Sequence, residues 1–165
     1  MEIKTIIDET GLKILKILQE KARIPNVEVA RQVGMAPSAV LERIRKLEKQ
    51  GIIDGYEVRL NPKRFRRNLV AFVFVKTEIQ ADQTGIGSSL SQIPEVQEVH
   101  FVAGEDCYLL KVRVADTLEL QKFLREKIRT LEAIHSIRSH IVLSTLKETA
   151  RIPLPENDMD VYCRE

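Results

Sequence analysis

The chain has 165 residues, enough for one ordinary domain or two small ones, with 30% charged residues and a net charge of +2. Two cysteines outside any C-x-x-C pair and three histidines without helical ligand spacing exclude a disulfide framework and predict neither a metal site nor a cofactor. The start of the chain lacks the apolar core of a signal peptide, and the longest apolar run, residues 69–75, is too short to cross a bilayer. We therefore expect a cytoplasmic protein that makes no membrane contact.

The charge is unevenly distributed along the chain. Residues 1–68 hold 15 Lys and Arg against 9 Asp and Glu, whereas residues 69–165 hold 11 against 15. A basic first part joined to an acidic second part favours one module that contacts nucleic acid and one with a different task.

The first predicted helix starts after Asp8 or Thr10 and ends near Ala22. Its apolar residues recur at helical spacing and form one face, which would pack across the next two helices. This face consists of Leu12, Leu15 and Leu18, widened by Ile14 and Ile17.

Residues 26–51 predict two short helices joined by a tight turn. Asn26 is the expected N-cap of the first helix, and Gly34 is expected to end it in the left-handed conformation. Pro37 suits the first turn of the second helix. The apolar spacing of that helix requires three residues to face inward: Val40, Ile44 and Leu47.

The outer face of this second helix is the candidate DNA-binding site. A cationic helix anchored on its other side fits the major groove of double-stranded DNA, where Arg can read guanine edges and Lys can meet phosphate. The predicted DNA-binding residues are Pro37, Ser38, Ala39, Glu42, Arg43, Arg45 and Lys46, with Lys49 also facing outward. The alternative is a helical hairpin with a solvated charged face.

Residues 52–60 alternate around an Asp54-Gly55 turn and predict a short hairpin or wing. The next segment, 61–68, breaks this pattern and collects charge, which is typical of a linker. Its cations are equally compatible with phosphate contacts and with a solvated hinge; they are Lys63, Arg64, Arg66 and Arg67.

The second half alternates strands and helices. Strands are predicted over 69–78, 96–103, 107–114 and 134–143, and helices over 84–93 and 117–131. The order β-α-β-β-α-β is that of a ferredoxin-like αβ sandwich. We therefore predict an α+β protein with four parts. They are a three-helix, winged-helix-like helix-turn-helix domain (1–60), a linker (61–68), a ferredoxin-like domain for effector binding and oligomerisation (69–148), and an extended or disordered tail (149–165).

The first strand of the second domain predicts self-association. Its apolar side chains point to both faces: Leu69, Ala71, Val73 and Val75 one way, Val70, Phe72 and Phe74 the other. Two helices can cover only one face of a four-stranded sheet, so the other would leave a large apolar patch in water. A second copy packed sheet against sheet removes that patch, so a homodimer is expected.

Several runs resemble the leucine-responsive regulator/AsnC, or feast–famine, family of prokaryotic transcription regulators. In the first half the runs are 17–19 (ILQ), 22–24 (ARI), 33–34 (VG), 37–48 (PSAVLERIRKLE), 51–53 (GII) and 55–56 (GY). In the second half they are Gly104, 108–112 (YLLKV), 141–143 (IVL) and Lys147. The resemblance implies an N-terminal DNA-binding domain, a C-terminal regulatory domain, and dimers that commonly associate into octamers. It also implies a small effector, typically an amino acid.

The resemblance further implies an effector site and shows two departures. The effector-binding residues would be Gly104, Glu105, Asp106 and Cys107, together with Ser139 in the last strand. Cys107 stands where the family commonly has Asp, which leaves open whether Asp106 replaces that carboxylate, whether another ligand binds, or whether none does. Cys107 is read either as a small buried residue or as a redox partner of Cys163. Ala36 stands where the family often has the Ser or Thr that caps the recognition helix.

Together these features predict a sequence-specific DNA-binding transcription regulator that responds to a small metabolite, typically an amino acid, through its C-terminal domain. The alternative is an amino-acid-sensing regulatory or adaptor protein without sequence-specific DNA binding. The sequence contains no Ser/His/Asp or Cys/His constellation with supporting context and no phosphate-binding glycine loop, so no enzymatic activity is expected.

Overall fold

The computed structural model describes residues 2–77, 85–104, 108–132, 134–157 and 159–164. The chain divides into a first unit, Met1–Val58 with Thr149–Glu165, and a second unit, Arg59–Glu148. The chain therefore leaves the first unit and returns to it. The acidic C-terminal segment, which the sequence analysis treated as a separate tail, belongs to the same unit as the three helices.

The elements follow one another along the chain with short connections. They are β1 (Glu2–Ile7), α1 (Glu9–Glu20), α2 (Asn26–Val33), α3 (Pro37–Lys49), a 3₁₀ turn (Pro62–Phe65), β2 (Leu69–Thr77), α4 (Ile86–Ser91), β3 (Val96–Phe101), β4 (Tyr108–Val114), α5 (Thr117–Phe123), a π turn (Leu124–Ile128), β5 (Ile134–Ile141) and β6 (Met159–Arg164). Within the described residues, no helix is long and apolar enough to span a membrane.

The apolar faces of α1, α2 and α3 form the core of the first unit. One cluster joins the three helices through Ile14, Leu18, Val29, Ala30, Val40 and Ile44. A second cluster, at the start of α1, consists of Ile7, Leu12, Leu15 and Leu47. The predicted inward positions of α1 and α3 are thus confirmed, with Ile14 at the centre of its face because it is fully buried.

The turn between α2 and α3 has the predicted geometry at its glycine. Gly34 ends α2 with φ 69° and ψ 35°, the left-handed conformation that glycine adopts without a steric penalty. Pro37 is the first residue of α3, also as predicted. The N-cap prediction for Asn26 is wrong, because Pro25 is the capping residue and accepts the Glu28 N–H through its carbonyl at 2.9 Å.

The first unit contains a two-stranded sheet that the sequence analysis did not predict. β1 pairs with β6 in antiparallel register, with Ile3 opposite Cys163 and Ile7 opposite Met159. The prediction of an extended or disordered tail is therefore wrong for residues 159–164, which form a strand. The pairing joins the two ends of the chain, a contact that no local pattern indicates.

The predicted hairpin over residues 52–60 is also wrong, because no strand forms there. The Leu47 carbonyl accepts the backbone N–H groups of both Ile52 and Ile53, at 2.9 and 3.3 Å, and both side chains pack against the cores of the unit. Beyond them, Tyr56 donates its hydroxyl to Glu48 at 2.9 Å. The apolar alternation thus anchors the end of α3.

The second unit has the predicted βαββαβ order and a four-stranded antiparallel sheet with strand order β3-β4-β2-β5. α4, α5 and the π turn pack on one face of this sheet. Their buried residues are Ile86, Leu90, Leu120, Phe123 and Ile128, against Ala71, Val73, Val75, Tyr108, Leu110, Val112 and Val114 of the sheet. The ferredoxin-like fold class is confirmed.

Three element boundaries in the second unit differ from the predictions. α4 begins only at Ile86, after Gly85. The predicted helix over 117–131 is α-helical only to Phe123 and continues as the π turn, which leaves Leu118 73% exposed. The segment predicted as a linker contains the 3₁₀ turn, whose first N–H groups are capped by the Asn61 side chain.

Candidate DNA interface and effector site

The exposed face of α3 is a stripe with i, i+4, i+7 and i+11 spacing: Ser38, Glu42, Arg45 and Lys49. Lys46 lies beside this stripe and is also exposed. In the described part of the chain, no ion pair involves Arg45, Lys46 or Lys49. Three cationic side chains on the outer face of a helix are thus available to an anionic ligand.

Two predicted DNA-binding residues lie off this stripe. Ala39 and Arg43 are only partly exposed, on the flank of α3 that faces α1. The Arg43 guanidinium donates from Nη1 to Asp8 Oδ1 at 2.8 Å, and its side chain is 39% exposed. Helical spacing gave a sign of this position, because Arg43 lies three residues after buried Val40 and four before buried Leu47.

The beginning of α3 lacks a side-chain cap. Ala36 holds the N-cap position with φ −71° and ψ 143° and makes no capping hydrogen bond. The exposed residues Pro37 and Ser38 follow it. The N–H groups of the first turn of α3 are therefore free of a side-chain acceptor at the end of the helix that would enter a groove.

The cations of the 3₁₀ turn fall into two classes. Arg67 pairs with Glu119 at 2.5 Å. The other three, Lys63, Arg64 and Arg66, are exposed, and no ion pair involves them among the described residues. Backbone hydrogen bonds order this turn, such as Arg67 N–H to the Pro62 carbonyl at 3.0 Å.

The predicted effector residues are not brought together within one chain. Gly104, with φ 138°, is exposed after β3, whereas Ser139 is exposed on β5. β4 and β2 lie between these strands, so β3 and β5 are three strand spacings, about 14 Å, apart. Glu105, Asp106 and Cys107 lie outside the described residues.

An exposed aromatic side chain beside this loop escaped the sequence analysis. Phe101, 68% exposed at the end of β3, contacts Tyr108 edge to face with ring centroids 5.5 Å apart. Among the described residues, no group of three His, Cys, Asp or Glu side chains could hold a metal ion.

Comparison with known protein families explains this combination of a cationic helix and a ferredoxin-like unit. A family model described as winged helix-turn-helix DNA-binding matches residues 7–54, and the Lrp/AsnC ligand binding domain matches residues 70–152. The chain belongs to the Lrp/AsnC family. It is a DNA-binding regulator with a ligand-binding domain.

Similar Lrp/AsnC proteins include the leucine-responsive regulatory protein of Klebsiella pneumoniae, 36% identical over 148 residues that cover 88% of this chain and 90% of the relative. A solved transcriptional regulator from Neisseria meningitidis, in complex with L-Met, superposes with a TM-score of 0.84 at 31% identity, covering 88% of this chain and 96% of its own. A feast or famine regulatory protein from M. tuberculosis, complexed with L-methionine, gives 0.82 at 33% identity, covering 90% and 99%.

The Lrp/AsnC assignment gives each unit its task. The first unit carries the DNA-binding helix α3, and the match of the second unit to the ligand-binding domain includes β2, β3, β4 and β5. The match extends to residue 152, past the point at which the chain returns to the first unit.

Proposed function

We propose that this Lrp/AsnC protein is a sequence-specific transcription regulator that inserts α3 into the major groove of double-stranded DNA. The observation that carries the proposal is the outer stripe of α3, which presents Arg45, Lys46 and Lys49 without acidic partners in the described part of the chain. A cation without an ion-pair partner can contact DNA without first breaking an internal salt bridge.

Each outer residue of α3 has a proposed role. Arg45, central on the stripe, reads a guanine edge, while Lys46 and Lys49 contact phosphate. Glu42 accepts a hydrogen bond from a cytosine amino group. At the entering end of the helix, the Ser38 hydroxyl contacts a base or a phosphate, next to the small residues Pro37 and Ala39, which allow the backbone to come close to the DNA.

The proposed effector is a free amino acid, bound at the 104–107 loop and at Ser139. Both methionine-bound relatives support an amino acid with an apolar side chain. Because Gly104 and Ser139 lie near opposite edges of one sheet, a small ligand that contacts both must take them from different copies of the chain. Assembly beyond a dimer, up to an octamer, would supply such contacts.

The proposed dimer covers the sheet face that lacks helices. On that face Phe72 is 36% exposed, and Leu143 and Leu146, just after β5, are 98% and 97% exposed. An apolar surface of this kind is stabilised by burial against a second copy. The proposed location is the cytoplasm, where a regulator reaches its DNA.

The test is binding of the purified protein to fragments of its own genome, including the DNA upstream of its own gene, over a salt series. Retention of a few fragments at salt that releases the rest is the expected result, and L-methionine or other amino acids should then change that retention. Equal binding to all fragments, abolished steeply by salt, would indicate phosphate contact alone and favour the adaptor alternative.

A further inference from the structure

A single carboxylate oxygen joins the DNA-binding helix to the start of α1. Asp8 Oδ1 accepts the Gly11 N–H at 2.8 Å as the N-cap of α1 and also accepts Arg43 Nη1 of α3 at 2.8 Å. The backbone turn of α1 thus positions the carboxylate, and the carboxylate positions the guanidinium. Hydrogen bonds to charged groups are among the stronger ones in proteins.

The packing at Gly11 independently supports this arrangement. A Cβ atom at Gly11 would lie 3.1 Å from Asp8 Oδ1 and 3.0 Å from Ile7 Cγ2, closer than ordinary van der Waals contact. Gly11 itself is buried. The position therefore has no room for a side chain, and any added atom would press on the carboxylate that holds Arg43.

The ion pair lies next to an apolar contact between the same two helices. Leu47, one turn after Arg43 on α3, packs with Leu12 and Leu15 of α1 in one buried cluster. The apolar contact sets the distance between the helices but has little directional preference. The charged hydrogen bond has a direction, so it fixes the rotation of α3 about its own axis.

We propose that Arg43 is a positioning residue of the DNA interface. It acts through Asp8 to fix the rotation of α3, and thereby which side chains meet the groove, and it does not read a base itself. The inference rests on the proposed insertion of α3 into DNA. It differs from the prediction made from sequence, in which Arg43 supplies base-edge contact.

The experiment measures affinity for a selected DNA site, together with base preference at every position of that site, for four variants. Arg43→Ala removes the guanidinium. Asp8→Ser keeps an N-cap acceptor for Gly11 but is too short to reach Arg43. The third variant combines both changes, and Arg43→Lys keeps the charge. Arg45→Ala is the base-contact control, and Lys13→Ala, which breaks the exposed Lys13–Glu9 pair of α1, is the ion-pair control.

We expect Arg43→Ala and Asp8→Ser each to weaken binding about tenfold, and the double variant to be no weaker than either single one, because the same interaction is removed in all three. Base preference should be unchanged at every position, Arg43→Lys should retain most of the affinity, and Lys13→Ala should behave as the wild type. Arg45→Ala should change the preference at one base pair.

Two results would overturn the inference. One is a change of preference at a single base pair in Arg43→Ala, and the other is wild-type affinity in Asp8→Ser, since an Arg that reads a base does not need Asp8. Urea unfolding identifies any variant that is not folded under assay conditions, and Asp8→Ser then decides alone because it does not alter α3. Wild-type binding without any sequence preference would instead contradict the proposed function.

Discussion

At the scale of single residues, Arg43 shows how a sequence-level assignment depends on angle around a helix. Arg43 and Arg45 are both cations on α3, yet Arg45 lies on the exposed stripe and Arg43 on the flank against α1. The apolar positions Val40 and Leu47 carry that distinction, because residues three and four apart share a helix face. Charge alone does not distinguish a base contact from an internal ion pair.

The missing cap of α3 leads to a stability prediction. Ala36→Ser should raise the free energy of unfolding by about 1 kcal/mol, because the backbone at Ala36 already has the extended conformation of an N-cap and lacks only a side-chain acceptor. Urea unfolding followed by circular dichroism measures the change. Ala36→Val is the control and should give no gain, and an equal gain from both variants would exclude capping as the cause.

Asp8 leads to a prediction about pH. The Gly11 N–H and the Arg43 guanidinium lower the pKa of Asp8 from its usual 3.8, against an opposing effect of burial. A lowered pKa in the folded state stabilises the protein above the unfolded pKa, and that stabilisation is lost as pH falls through the folded value. The free energy of unfolding of Asp8→Ser should therefore fall less than that of the wild type between pH 5 and pH 2.5. Parallel pH profiles would contradict this assignment.

At the scale of elements, the 3₁₀ turn decides which of the linker cations is committed to the protein. Arg67 pairs with Glu119, while Lys63, Arg64 and Arg66 project from the ordered turn as exposed side chains. The sequence could not separate these four, because the division depends on where α5 places Glu119. Phosphate contact and a solvated hinge both stay open for the three exposed cations.

A salt series distinguishes these two alternatives. If the exposed cations contact phosphate, the triple variant Lys63→Ala, Arg64→Ala, Arg66→Ala should flatten the slope of log affinity against log salt by about 0.9 for each phosphate that is no longer neutralised. The matched control removes Lys122, Arg125 and Lys127, which pair with Glu126 or Glu95. Identical slopes for both triple variants would favour the solvated hinge.

At the scale of the whole molecule, the return of the chain to its first unit is the main feature of the fold. β6 pairs with β1, Gln19 Oε1 accepts the Ile152 N–H at 2.9 Å, and Leu154 packs near the Leu12 cluster. The DNA-binding unit is thus completed by residues that follow the ligand-binding unit in sequence. Two chain crossings, rather than one, connect the units.

Removal of residues 149–165 should therefore weaken the DNA-binding unit. We expect the free energy of unfolding to fall by about 2 kcal/mol, because β1 loses its partner strand and the Leu12 cluster loses Leu154. Urea unfolding measures the decrease, and Ile152→Ala, at a side chain that is 66% exposed, is the control with little expected effect. Unchanged stability after truncation would show that the strand pair adds nothing.

The proposed dimer leads to a prediction on the open sheet face. Phe72→Glu should shift the protein toward monomers in sedimentation, because a charge would then be buried between two apolar faces. Leu118→Glu is the matched control, since Leu118 is 73% exposed at the start of α5 and lies outside that face. Equal masses for both variants and the wild type would place the dimer contact elsewhere.

The sequence by itself determined the three helices, the turn at Gly34, the inward positions of α3 and the βαββαβ order of the second unit. All of these depend on periodicity and turn chemistry over fewer than about 20 residues, which a sequence displays directly. The tertiary structure alone decided the β1–β6 pair, the engagement of Arg43 by Asp8 and the separation of Gly104 from Ser139. These contacts join residues far apart in the chain, and their partners are selected by packing rather than by local pattern.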